Sequence, residues 1–206
     1  MGEKLRVFIG LGLPEQVVTE VSRLSDSIAD LGVAGVKTVP LDGVHCTLWF
    51  IGDVTAEQVP YVQQACEEVA DYHGPVNDLE LGSIGGFPEL HKAEVLYIQV
   101  QPWTDHDQLE HLHRALGQSV ERWNLGPLDV ERFDSFIPHI TLARVKTDHV
   151  DQRRRVLTRA LMRNRRPTNR VLFGADRIVA YQSFRPDPPG SWGQFRELFS
   201  VELKGG

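Results

Sequence analysis

The stretch VHCTLWF (44–50) sets a histidine and a threonine two residues apart in an otherwise apolar run, and PHITLAR (138–144) repeats the arrangement in the second half of the chain. In an extended segment alternate side chains share a face. His45 and Thr47 therefore project to one side and Cys46 and Leu48 to the other; His139 and Thr141 oppose Ile140 and Leu142 in the same way. One face packs, while the other offers an imidazole and a hydroxyl. A single His-x-Thr carries little weight in a chain with eight histidines. Two copies, each with an apolar middle residue and each followed by Leu, point to a duplicated unit.

The flanking pattern is a mixture of strands and helices. RVFIGLGL (6–13) has the length and apolarity of a strand, and Pro14 then opens a helical stripe of Val17, Val18, Val21, Leu24, Ile28 and Leu31. A Gly/Pro-punctuated connection (32–40) leads into VHCTLWFI. Thr55 and Gln58 form a capping box for a helix that turns Val59, Val62, Cys66 and Val69 inward. NDLELGSI and AEVLYIQV read as strands around the loop GGFPELHK. Asp105 is placed to cap a helix burying Leu109, Leu112, Leu116 and Val120 and ending near Gly126 and Pro127. A strand at about 128–133 precedes IPHITLARV, and a fourth helix is predicted over about 147–165. FGADRIVAYQSF and FRELFSVEL close the chain as two strands around RPDPPGSWGQ.

This order lacks the strict alternation of a doubly wound parallel sheet. The expected fold is α+β, either one undivided domain or, as the repeated His-x-Thr-Leu favours, a duplicated unit folded into two facing lobes. The length of 206 residues is too short for two ordinary independent domains.

Composition narrows the partners. Hydrophobic residues at 41% and charged residues at 24% are ordinary for a globular protein. No apolar span reaches bilayer length, and MGEKLRVFIG lacks the layout of a secretory signal or a myristoylation motif. A cytoplasmic location without membrane attachment is therefore expected. The net charge of −6 speaks against a generic binder of long duplexes. Cys46 and Cys66 make neither a disulfide framework nor a zinc cluster and read as small core residues.

Two facing His-Thr strands suit phosphodiester chemistry. In-line displacement at phosphorus needs a base for the incoming nucleophile and an acid for the departing oxygen, and two histidines can hold one of each state near neutrality. Threonine hydroxyls can donate to the non-bridging oxygens. No metal or other cofactor is demanded, and no dense carboxylate cluster offers to hold one.

At this point the chain resembles a known family, the two-histidine phosphoesterases, and within it the bacterial and archaeal RNA 2′,3′-cyclic phosphodiesterases, also called 2′-5′ RNA ligases. The resemblance runs through RVFIGLGLP, VKTVPLDGVHCTLWFIGDV, LGSIGGFPELHKAEVLYIQV, FIPHITLARV and FGADRIVAYQSF. It implies an α+β fold, one domain over 1–206 made of two pseudo-symmetric, intertwined lobes, each an antiparallel sheet backed by helices, with the motifs in the central cleft, and it implies hydrolysis of a 2′,3′-cyclic phosphate on an RNA 3′ end or a nucleotide to a 2′-phosphate. His45 would be the proton donor to the 3′ oxygen and His139 the proton acceptor from water, with Thr47, Thr141 and Arg144 holding the phosphate. A monomer is expected. Reverse 2′-5′ ligation at the same site and a non-catalytic RNA-end binding module are the alternatives.

Alternation places Arg144 on the face opposite His139. Either the strand twists, bulges or ends before Arg144, or this residue lies outside the cleft. Thr38 stands where many relatives carry an aromatic residue, which leaves base recognition to other side chains; Phe8, Phe136 and Trp192 are the alternatives, each also readable as packing. His106, His111 and His113 diverge around a helix and read as a solvated face rather than a metal cluster. His73, His91 and His149 fall in loops or at a helix start. From 152 to 170 there are eight arginines and no acid, readable either as an RNA-guiding stripe or as the solvated side of a helix.

Overall fold

The computed structural model describes residues 4–103, 107–125, 136–146, 157–162, 167, 170–184 and 193–205. In chain order the elements are β1 (Lys4–Leu11), α1 (Glu15–Ala29), β2 (Val36–Thr38), β3 (Cys46–Thr55), α2 (Val59–Tyr72), β4 (Val76–Phe87), β5 (Val95–Pro102), α3 (Gln108–Arg122), β6 (His139–Val145), β7 (Leu172–Ala175), β8 (Arg177–Phe184) and β9 (Gln194–Glu202). Residues 157–162 are also helical.

The strands form one antiparallel sheet in the order β7-β4-β5-β6-β3-β1-β8-β9, with β2 on β6 beside β3. Its two halves, β7-β4-β5-β6 and β3-β1-β8-β9, meet through a single paired position, Cys46 opposite Ile140. Each half is backed by helices. Helix α1 lies against β6 and β2, α3 lies against β3, and α2 packs on α3, β8 and β9. The expected α+β architecture of two antiparallel lobes backed by helices is therefore present.

Local sequence accounts for most of these elements. In β1, Val7, Ile9 and Leu11 enter the main core while Phe8 and Gly10 turn to the other face, so all five are buried and the strand reads as a continuous apolar run. Pro14 caps α1 with an extended backbone, and Val17, Val21, Leu24 and Ile28 fill its inner stripe. Leu31 lies beyond the helix and is 38% exposed. Thr55 and Gln58 form the expected capping box, over a 3-10 turn that leads into α2. Both Cys46 and Cys66 are buried, and burial pushes each thiol up to about 12.

Four boundaries differ from expectation. Helix α3 is capped by Asp107, whose carboxylate accepts from the Glu110 N–H at 2.9 Å, and not by Asp105. Strand β4 continues through Gly85, Gly86 and Phe87, which pair with Tyr97, Leu96 and Val95. The connection at 32–40 contains β2, stabilised by three pairs to β6. FGADRIVAYQSF is two strands, because the chain leaves β4 and joins β1 across the single residue Asp176. The expected strand at 128–133 and most of the fourth helix lie outside the described residues.

Candidate active site

The Cys46–Ile140 pair fixes the register of the two motifs. With these positions opposite each other, His45 falls across from Thr141 and Thr47 across from His139, on the face away from the core. Cys46 and Ile140 themselves are fully buried. Both threonines are half-buried, and neither hydroxyl bonds another protein group among the described residues.

The two imidazoles are held alike. His45 Nδ1 donates to the Gly43 carbonyl at 2.8 Å, and His139 Nδ1 donates to the Ile137 carbonyl at 2.7 Å. A carbonyl can only accept, so in each ring the fixed proton is on Nδ1 and Nε2 is the atom left to gain or lose one. Each ring also rests on aromatic side chains. His45 contacts Phe8 at 5.0 Å and Phe195 at 4.7 Å; His139 contacts Phe87 at 5.0 Å and Tyr97 at 5.2 Å. Gly85 makes room for the Tyr97 ring, whose atoms occupy the space of a β-carbon there.

Burial lowers the pKa of both histidines from the ordinary value, because an imidazolium loses hydration there. The bonds to backbone carbonyls oppose this. His45 is held down further by the positive charges of His139 and Arg144. The two motifs are thus close enough to act on each other electrostatically.

Arg144 is brought to the histidine face by a β-bulge. Along β5 and β6, Tyr97 pairs with Thr141 and Leu96 with Ala143, so Leu142 is an extra residue, and Arg144 pairs with Val95 on the face of Tyr97. The first motif carries the same device. Gly10 pairs with Thr47 and Ile9 with Trp49, so Leu48 is extra, and Phe50 pairs with Phe8 on the histidine face. Burial runs buried, half-buried, buried, buried, exposed over both Cys46–Phe50 and Ile140–Arg144. Arg144 and Phe50 are therefore equivalent positions.

Each bulge carbonyl is tied down from the core side. Leu48 O accepts from His113 Nδ1 on α3 at 2.7 Å, and Leu142 O accepts from the Val39 N–H at 2.8 Å and Ser25 Oγ on α1 at 3.3 Å. His113 is a core histidine between Trp49 and Phe136, which stacks on it at 4.0 Å. This accounts for Phe136 as packing, and Phe8, at 2% exposure, lies beneath His45. Thr38 pairs with the buried Ala143 rather than with a residue of the histidine face, whereas Lys37 pairs with Arg144. His73 donates to the Val69 carbonyl at the end of α2, and His91 pairs with Glu89 on the 88–94 connection. Among the described residues no three His, Cys, Asp or Glu side chains gather as metal ligands. Trp192, His106, His149 and most of the arginine stripe lie outside the described residues.

Alternation anticipated the shared face of His45, Thr47, His139 and Thr141, which the structure places side by side, but not the aromatic walls around the imidazoles or the placement of Phe50. The available signal was the superposition of TLWF on TLAR, which sets Phe50 at the offset of Arg144.

The chain is similar to known proteins in sequence and in fold. The chain is 27% identical over 143 residues to the RNA 2′,3′-cyclic phosphodiesterase of Aquifex aeolicus (strain VF5), covering 69% of this chain and 72% of that one. It is 24% identical over 142 residues to the protein of the same name from Archaeoglobus fulgidus, covering 69% and 73%. Its fold superposes on TT0787 of Thermus thermophilus with a TM-score of 0.73 at 24% identity, over 98% of this chain and 99% of that one. E. coli LigT in complex with 3′-AMP gives a TM-score of 0.68 at 19% identity, over 98% and 99%. The model of the 2′-5′ RNA ligase superfamily matches residues 13–182, a span that contains both His-x-Thr-Leu strands and the seam between them. By that match the chain belongs to the 2′-5′ RNA ligase superfamily, the two-histidine phosphoesterases.

Proposed function

We propose that the protein hydrolyses 2′,3′-cyclic phosphate ends of RNA or nucleotides to 2′-phosphates, with His45 and His139 as acid and base and no metal in the reaction. The observation that carries this reading is the matched pair of histidines across the Cys46–Ile140 seam, each with Nδ1 bonded to a backbone carbonyl and each facing the other motif's threonine. The names of the relatives support the substrate class.

His139 Nε2 takes a proton from water as the oxygen attacks phosphorus. The bond from phosphorus to the 3′ oxygen breaks, and His45 Nε2–H gives that oxygen its proton. Products are a 2′-phosphate and a free 3′-hydroxyl, and one proton transfer back to His45 resets the pair. Thr47, Thr141 and Arg144 donate to the non-bridging oxygens, where negative charge must be held as phosphorus becomes five-coordinate. The acid and base roles follow the family resemblance, since the near-symmetric geometry would serve either direction.

The test is incubation of purified protein with 2′,3′-cyclic AMP, with and without EDTA, resolving 2′-AMP from 3′-AMP. The expected product is 2′-AMP at an unchanged rate in EDTA. His45→Ala and His139→Ala should each lower kcat by about 10³-fold or more, from loss of general acid or base assistance. Loss of activity on chelation, or a 3′-AMP product, would overturn the reading.

A further inference from the structure

We propose that Arg177 binds the phosphate that joins the terminal nucleotide to the rest of an RNA strand, so that the site prefers a cyclic end preceded by a phosphodiester to a bare nucleoside cyclic phosphate. This rests on the phosphodiesterase reading above and chooses RNA ends among its substrates.

Register brings Arg177 to the first motif. Strand β1 pairs without a break along β8, and its last pair with β3 is Leu11 with Cys46. One residue on, Gly12 donates its N–H to the Arg177 carbonyl at 2.9 Å on one side and stands level with His45 on the other. Arg177, Gly12 and His45 therefore form a row across the ends of β8, β1 and β3. Alternation keeps Arg177 on the face of Val179 and Tyr181, opposite the core residues Ile178 and Ala180, and Tyr181 stacks on Phe8 beneath His45.

Glycine lets the side chain lean inward. A β-carbon on Gly12 would lie 2.5 Å from Arg177 Cγ and 3.1 Å from Nε, so the side chain crosses the end of β1 toward the motif strand. The Tyr181 ring does the same over Gly10, at 3.2 Å. Neighbouring strands are ~4.8 Å apart; two such intervals separate Arg177 from His45, and the side chain spans the first. Arg177 is exposed and makes no ion pair among the described residues, although Glu202 is its cross-strand partner and Asp176 precedes it. A pocket of about 290 Å³ opens beside it, lined also by Gly12, Pro14, Asn77, Gly174 and Asp176.

The two arginines divide the work. Beyond burial, the charges that depress His45 are those of His139 and Arg144. Burial raises the Tyr181 phenol above its ordinary value, Glu197 adds to this, and the charge of Arg177 opposes it. The Tyr181 ring lies 6.4 Å from that of His45, so Arg144 acts on the proposed acid itself and Arg177 one side chain away. A guanidinium at that offset matches a second phosphate, one sugar removed from the reacting one, and its fork can take both non-bridging oxygens of a diester together.

The experiment compares 2′,3′-cyclic AMP with its 5′-methylphosphate derivative, which adds the diester charge without a second nucleoside. Wild type should favour the derivative by about tenfold in kcat/KM, the size of one charge-assisted contact, mostly through KM. That ratio should fall toward unity in Arg177→Gln, recover in part in Arg177→Lys, and shrink as salt is raised. Gly12→Ala keeps the charge but sets a methyl against Arg177 Cγ, and should lower the ratio as well; urea midpoints show that each variant is folded. Calorimetric affinities for 2′-AMP and for 2′-AMP carrying the 5′-methylphosphate should show the same pattern without turnover. A ratio equal in wild type and Arg177→Gln overturns the second phosphate site while leaving the hydrolysis standing. Absence of turnover by wild type, with an Arg177-dependent preference for the 5′-methylphosphate ligand, overturns the hydrolysis and leaves the phosphate site standing.

Discussion

Arg144 acts on His45 in two opposed ways. In the proposed reaction it supplies charge for the bound phosphate, and in the empty site it disfavours the imidazolium that the proposed acid must be. Since burial lowers both histidines below 6.5, and the neighbouring cations lower His45 further, kcat/KM should be greatest on the acid side of that value. The rising limb should report loss of the proton from His139, the proposed base, and the falling limb loss of the proton from His45, the proposed acid. An anionic substrate favours both imidazolium forms, so the kcat profile should lie at higher pH than the kcat/KM profile. In Arg144→Gln, the falling limb of kcat/KM should move to higher pH, because the charge that depressed His45 is gone, while the maximum drops by about 10²-fold from lost transition-state charge stabilisation. A limb that stays in place, or moves toward acid, would place Arg144 outside the reach of His45. The histidines and threonines were legible because each motif is short enough for alternation to hold from His to Thr. Arg144 was ambiguous for the same reason in reverse: counting by twos across Leu142 gives the wrong face, and nothing in the residue types of TLAR announces an extra residue.

At the scale of elements, the two bulges are held from opposite lobes by side chains on α1 and α3. Ser25 and the Val39 N–H hold the second bulge carbonyl, and His113 holds the first. His113 also stacks on Phe136, three residues before His139, so one buried ring touches the supports of both motifs. His113→Leu should cost about 1–3 kcal/mol of stability, the penalty of leaving the Leu48 carbonyl without its donor, and should lower kcat for nucleotide hydrolysis by displacing His45 and Phe50. His113→Asn, which keeps a donor amide but not the ring stack, should recover part of the loss; urea unfolding of the three proteins checks this. Equal stability in all three would remove the carbonyl clamp. Helix spans were readable from periodicity and from the Thr55–Gln58 capping box. The cap of α3 was misplaced by two positions because Asp105 and Asp107 flank His106 and both suit the role chemically. Strand β2 escaped notice because three residues between glycines and proline carry no periodic signal; β6 makes it a strand by offering it an edge.

For the whole molecule, the halves of the sheet interleave along the chain. One half takes β1, β3, β8 and β9, while the other takes β4 to β7, with β2 beside β3 on β6. The β4–β7 half is thus inserted between β3 and β8 of the other, and both share a continuous core running from Val7 to Leu203. The protein should therefore unfold in one transition, with far-UV circular dichroism and tryptophan fluorescence coincident in urea. Separated midpoints would show that the halves fold independently. The lobes themselves were predictable from the duplicated motif. The place where the chain passes between them was not, since FGADRIVAYQSF has the residue types of a single strand and a sequence pattern cannot show a strand changing partners at Asp176.

That one-residue passage at Asp176 has a mechanical consequence. The halves are stitched at the Cys46–Ile140 seam and again where β7 runs directly into β8. A jaw needs slack at one of its ends, and neither fastening supplies any. The gap between the imidazoles should therefore keep its width when a ligand enters, and crystal structures of the free and 2′-AMP-bound protein that differ in that width would overturn this expectation.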